Sequence, residues 1–160
     1  MIRSEDRILT THTGSLPRPD DLVQLMFAKE EGFQVKTETL ARRIMSAVSE
    51  IVDKQIEAGL DLINDGELSK PSYATYIKDR LNGFEGESKP LVYQDLVDFP
   101  GMAKRVFDDP GRARRKTPGC NGPISVSDEK AVLDDVSNLQ KALANKSLEG
   151  SFLNAASPGV

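Results

Sequence analysis

Apolar residues recur every three to four positions along 37–58. Leu40, Ile44, Val48, Ile51 and Ile56 share one helical face with Gln55, while Arg42, Arg43, Ser46, Glu50, Asp53, Lys54 and Glu57 share the other. This spacing predicts an amphipathic helix. Thr37 is placed to cap its start, and Gly59 stands just past its end. A second helix is predicted over 128–145, where Val132, Val136, Leu139 and Leu143 make the apolar stripe. Ser127 is its expected cap, and Asp128 and Glu129 suit the positive helix N-terminus. A shorter helix is expected over 21–31, with Asp20 as cap, Leu22, Leu25 and Met26 on one face and Gly32 as its stop.

Short runs of another kind lie between these. Residues 7–11 (RILTT), 60–64 (LDLIN), 120–126 (CNGPISV) and 150–155 (GSFLNA) read as brief strands, each running into polar or Gly-containing residues. A short helix is expected over 73–81 and a loop or hairpin over 82–90. One or two helical turns broken at Pro100-Gly101 are expected within 91–107, and an exposed polar stretch over 108–116. Strands separated by helical crossovers pair in parallel. The expectation is a parallel α/β fold of four strands in a single domain over 1–160. In such folds ligands gather at the C-terminal strand ends.

Composition narrows the function without fixing it. The net charge of -4 lacks the basic footprint of a nucleic-acid binder. No stretch approaches the roughly 18 apolar residues of a membrane span, and no secretory leader is visible at the N-terminus. One cysteine, Cys120, rules out an intrachain disulfide, which fits a cytoplasmic location. A zinc site built only from His and Cys needs about three or four such ligands. The chain has one of each, His12 and Cys120.

Four segments placed just after strands hold the candidate chemistry: His12-Thr13-Gly14-Ser15, Asp65-Gly66-Glu67, Gly122-Pro123-Ile124-Ser125 and Ala156-Ser157-Pro158-Gly159. A Gly-Ser turn can offer N–H groups to a carboxylate or phosphate, and a carboxylate such as Glu67 can hold an ammonium or act as a base. On local pattern alone, each is more often a plain turn. His12 is more often a hydrogen-bonded structural residue, Cys120 a small buried hydrophobe, and Tyr73 and Tyr76 packing residues.

Two segments together change that balance. TTHTGSLPRP, residues 10–19, resembles the opening strand of the catalytic barrel of cobalamin-independent methionine synthases. GLDLINDGELSKPSYATYIKDRLNGFEG, residues 59–86, resembles the second strand of that barrel and the segment beyond it. NGPISVSDEKAV and GSFLNAASPGV fall where the third and fourth strands are expected, so the resemblance spans essentially the whole chain.

The resemblance implies a partial (β/α)8 TIM barrel, about the first four βα units. It implies methyl transfer from a folate donor to the zinc-bound thiolate of homocysteine, the metal ionising the thiol. It assigns Thr13, Gly14, Ser15 and Glu67 to the polar end of the amino acid, with His12, Asp65 and Ser157 as further possible contacts. The family's zinc ligands, a His-x-Cys pair, a Glu and a second Cys, lie on later strands that this chain does not contain. His12 stands where the synthases usually show Thr, and Asn64-Asp65 replaces a Val-His pair. These features are nearer the single-barrel relatives called methionine synthase II. Coenzyme M transferases and uroporphyrinogen decarboxylase share the wider barrel group.

The expected role is thus a methionine synthase-like fragment, inactive alone, that pairs with a second barrel half or with itself. The alternatives are a non-catalytic remnant or amino-acid/thiol binding module, and another thiol alkyltransferase of the same barrel group.

Overall fold

The long amphipathic stretch forms the helix on which the rest is assembled. The computed structural model describes residues 4–72, 75–87, 94–107 and 118–156. Helix α1 is Asp20–Glu30 and α2 is Thr37–Glu57. Beyond them come β1 (Leu62–Ile63), β2 (Leu81–Asn82), β3 (Gly86–Glu87), α3 (Gln94–Val97), α4 (Pro100–Phe107), β4 (Pro118–Gly119), β5 (Ser125–Val126), α5 (Lys130–Leu143) and β6 (Gly150–Ser151). A 3-10 turn covers Tyr76–Asp79 within the span expected to be helical. Tyr73 and the 108–116 stretch lie outside the described residues.

The helix ends differ in detail from the pattern. Asp20 and Thr37 are the first residues inside their helices, and Pro19 and Lys36 occupy the cap positions without side-chain cap bonds. Asp20 and Asp21 in the first turn of α1 instead place negative charge at the positive end of the helix. Gly32 and Gly59 end α1 and α2 at φ +85° and +77°, a conformation that an L side chain resists. In α5 Glu129 occupies the cap position without a side-chain bond of its own, and the side chain that meets the first turn is Asp128, not Ser127: the Ala131 N–H donates to Asp128 Oδ1 at 3.0 Å. Ser127 is engaged elsewhere, its N–H donating to the Arg80 carbonyl. Pro100 opens α4, at the first-turn position that proline tolerates.

The strand order corrects one expectation. Leu62 bridges Thr11 in parallel on one side, and β1 pairs with β6 in parallel on the other, Leu62 with Gly150 and Ile63 with Ser151. Among the described residues the parallel set therefore has three members: the Thr11 segment, β1 and β6. The 120–126 run, expected as a parallel strand, is not among them. Its β5 pairs antiparallel with β2, and β4 pairs antiparallel with β3. A run of one or two alternations carries no information about its partner, so a hairpin-like excursion and a barrel strand look alike in sequence. The fold is mixed α/β with short strands.

The core lies on the helical side. Leu22 and Met26 of α1, Ala47, Val48, Ile51 and Val52 of α2, Ile63 of β1, Leu68, and Leu139 and Ala142 of α5 form one buried cluster. α2 packs most extensively on α5, and also on α1 and β1. The apolar stripe of α2 is thus the face that meets the core, whereas α5 meets it through Leu139, Ala142 and Leu143, and Val132, read on the same stripe, is 53% exposed. At the opposite, N-terminal ends of the parallel segments, Arg7 reaches Asp61 at 2.6 Å and Glu149 at 3.3 Å. Asp61 also accepts from the N–H and hydroxyl of Thr10. The Arg7 bond leads these contacts in holding the Asp61 carboxyl well below the usual carboxylate range.

Candidate functional site

The C-terminal end of β1 runs into Asn64-Asp65-Gly66-Glu67, and its backbone folds on itself. Asn64 Oδ1 accepts from the Gly66 N–H at 2.8 Å, and Asp65 Oδ1 accepts from the Glu67 N–H at 3.0 Å. These are two overlapping turns of the kind Asn and Asp favour. They drive both Gly66 and Glu67 into the left-handed region, at φ 61° and 56°. Glycine is required at 66 on two grounds, since a Cβ there would also come within 3.1 Å of Leu16 Cβ. A glutamate at such a φ is uncommon, and it persists only where its surroundings hold it.

Those surroundings come from two directions. From α2, the buried Gln55 donates to the Asn64 carbonyl at 2.8 Å and accepts from the Asn64 N–H at 3.2 Å. From the first parallel segment, the His12 carbonyl accepts from Asn64 Nδ2 at 2.6 Å, and the Leu16 N–H donates to the Gly66 carbonyl at 2.9 Å. Arg18 donates to the Glu67 carbonyl at 2.7 Å and to the Lys70 carbonyl.

The Glu67 side chain is 1% exposed. Its Oε2 accepts the Ser15 hydroxyl at 2.5 Å. Its Oε1 is buried with no hydrogen-bond partner among the described residues, as is His12 Nε2. Thr13 and Ser15 are exposed, and Gly14 between them takes φ +96°. The structure therefore brings Ser15 and Glu67 into direct contact, with Thr13, Gly14 and the His12 backbone on the same loop. Asp65 is buried beside them, and burial pushes its carboxyl above the usual range against the opposing charge of Lys70. Ser157 lies outside the described residues. The Gly122–Ser125 segment belongs to the antiparallel excursion rather than to this end of the parallel set.

The third parallel member joins through groups that the sequence did not single out. Lys70, 3% exposed, donates to the Asn154 carbonyl at 2.5 Å, just beyond β6. The Ala156 N–H donates to the Tyr76 hydroxyl at 3.1 Å. Lys70 Nζ and the Arg80 guanidinium stand 5.4 and 4.9 Å from the Tyr76 ring centre, within cation–π range. Arg80 is paired with Asp135 of α5 at 2.8 Å. A cleft of about 270 Å³ opens here, with Lys70, Tyr76, Arg80, Asp135 and Asn154 among its walls. A larger groove of about 450 Å³ lies among α1, α2 and α5, and neither Glu67 nor the 12–15 loop lines it. The contacts of Arg18, Lys70 and Asn154 gave no local signal, because they join side chains to backbone groups far along the chain.

Among the described residues no group of three or more His, Cys, Asp or Glu side chains could hold a metal ion. Cys120 is exposed, its thiol near the Gly122 carbonyl. Among the described residues no helix is long and apolar enough to cross a membrane.

Comparison with known proteins finds a similarity over part of the chain. No family model matches it. It is similar to a methionine synthase. That protein, from Sulfolobus acidocaldarius, is 34% identical over 86 residues, which are 54% of this chain and 25% of the relative. The match thus spans about a quarter of the relative's length.

Proposed function

We propose that this chain supplies the amino-acid-binding part of a methionine synthase-like S-methyltransferase, with a homocysteine-like α-amino acid as its ligand. The observation that carries this is the state of Glu67. A fully buried carboxylate with one oxygen fixed by Ser15 and the other unpartnered is costly unless a donor completes it. The ammonium of an amino acid is such a donor, and the bond would be charge-assisted. The adjoining Thr13-Gly14-Ser15 loop would meet the ligand's carboxylate through N–H and hydroxyl groups. Ser15 would contribute its backbone N–H, because its hydroxyl proton is directed at Glu67.

The three parallel members, with α2 and α5 packed together, serve on this reading as consecutive units of a TIM barrel. The Thr11 segment and β6 would pair with further strands from a second barrel half or a second copy, since an uncovered strand edge invites such pairing. The described residues hold no zinc ligand set. The part assigned to this chain is therefore recognition of the amino acid, while ionisation of its thiol and delivery of a folate methyl group are left to the rest of the catalytic centre.

Titration calorimetry with L-homocysteine and L-methionine tests this reading. Binding is expected, and Glu67→Gln should weaken it about 10- to 100-fold, the worth of a bond to a charged group. Equal affinity in the variant would remove Glu67 from the site. Binding that survives without methyl transfer, even in a zinc-supplied full-length protein, would make the chain an amino-acid binding module.

A further inference from the structure

We infer that Arg18 is the positioning residue for Glu67, setting the left-handed turn that presents the carboxylate and tying together the ends of all three parallel segments. The inference rests on the amino-acid site proposed above.

The local sequence prepares Arg18 for this. It lies between Pro17 and Pro19. A proline fixes its own φ and keeps the residue before it extended, so both Leu16 and Arg18 are held out of helical conformations. The extended stretch runs alongside the loop after β1 and meets it twice. The Leu16 N–H donates to the Gly66 carbonyl, and the Arg18 guanidinium donates to the carbonyls of Glu67 and Lys70. The Glu67 carbonyl also accepts from the Lys70 N–H at 3.0 Å, closing a short turn.

That turn decides where two charged side chains go. Glu67 at φ 56° directs its carboxylate towards Ser15, and Lys70 sends its ammonium to the Asn154 carbonyl. One guanidinium thus fixes the backbone at both positions, and through Lys70 it couples the first segment to the third. Both bonds leave from one terminal nitrogen, Nη2, whose two N–H directions are held by the planar guanidinium, whereas a lysine ammonium is a flexible point donor. Arg18 touches the ligand in none of this. Its effect passes through Glu67.

A positioning role makes a selective prediction. L-Methionine carries the ammonium that Glu67 would hold, and its des-amino analogue, 4-(methylthio)butanoate, does not. Titration calorimetry of the full chain should show Arg18→Ala losing affinity for L-methionine about tenfold, with the des-amino analogue unaffected. Arg18→Lys should fall between, and Arg18→Ala combined with Glu67→Gln should bind no more weakly than Glu67→Gln alone.

Amide hydrogen exchange supplies a readout that does not depend on binding. In Arg18→Lys, the gentler change, exchange at Glu67 and Lys70 should quicken about tenfold, while the buried amides of α2 stay as they are. Equal loss of affinity for both ligands, unchanged exchange at Glu67 and Lys70, or faster exchange throughout α2 would overturn the inference. If the unaltered protein binds neither ligand, the proposed function fails. The exchange result then decides by itself whether Arg18 sets the turn.

Discussion

The Ser15 hydroxyl donates to Glu67 Oε2 at 2.5 Å, across 52 residues of sequence. One partner sits exposed on the loop after the first parallel segment, and the other is buried in the turn after β1. The bond joins two strand ends and fixes the direction of the carboxylate at the centre of the proposed site.

Removing the donor leaves both Glu67 oxygens unpartnered in a buried place. Ser15→Ala should therefore destabilise the fold by about 1.5–3 kcal/mol, the cost of stripping a hydrogen bond from a buried charged group. Urea unfolding near neutral pH checks this, and Ser15→Thr, which keeps the hydroxyl, should recover most of the loss. A Ser15→Ala variant as stable as the parent would show that the bond does not hold the turn.

Gln55 joins α2 to the same turn from behind, with bonds to the Asn64 carbonyl, the Asn64 N–H and the Ile51 carbonyl, all in buried surroundings. Gln55→Leu keeps much of the bulk and removes every partner. The expected loss is about 2–4 kcal/mol, because buried backbone groups are left unsatisfied. Chemical denaturation measures the size, and amide exchange at Asn64 should show where the loss arises. A loss no larger than that of an ordinary surface substitution would argue that the Asn64 backbone finds other partners.

Asp65 gives the fold a pH dependence of definite sign. Its carboxyl is pushed above the usual range, first by burial, with the Asp135 and Glu67 charges adding and the Lys70 charge and the Glu67 N–H bond opposing. An acid that binds its proton more tightly folded than unfolded stabilises the fold below its unfolded pKa. That contribution is lost as pH rises through the folded value. Asp65→Asn keeps an oxygen to accept the Glu67 N–H and removes the buried charge. It should melt higher than the parent near neutral pH, with the advantage fading as pH falls through the raised folded value and gone below the ordinary carboxylate value of about 4. Thermal melts across that range decide the matter, and an advantage that grows towards acid would contradict the assigned shift.

Some of this architecture could be read directly along the chain. The stripes through Val48 and Ile51 and through Leu139 repeat over several turns, and each turn adds evidence for the same helix face. The α2 face meets the core through all its apolar positions, and the α5 face through Leu139 and Leu143, with Val132 left exposed. The motifs around Gly14-Ser15 and Gly66-Glu67 also stood out, as a pair, through their resemblance to a known barrel. The geometry brings that pair into contact.

What the tertiary structure alone decided is which distant groups share a neighbourhood. The 120–126 run and the 150–155 run each look like a brief strand, yet only β6 joins the parallel set. Two-residue pairings are chosen by how the whole chain packs, not by their own pattern. The partners of Arg18, Lys70 and Asn154 carry no mark in sequence either. Three of their bonds go to carbonyls, which every residue has, at separations of 49, 52 and 84 positions. Local periodicity fixed the helices because their hydrogen bonds are local. The site was decided in three dimensions because its bonds are not.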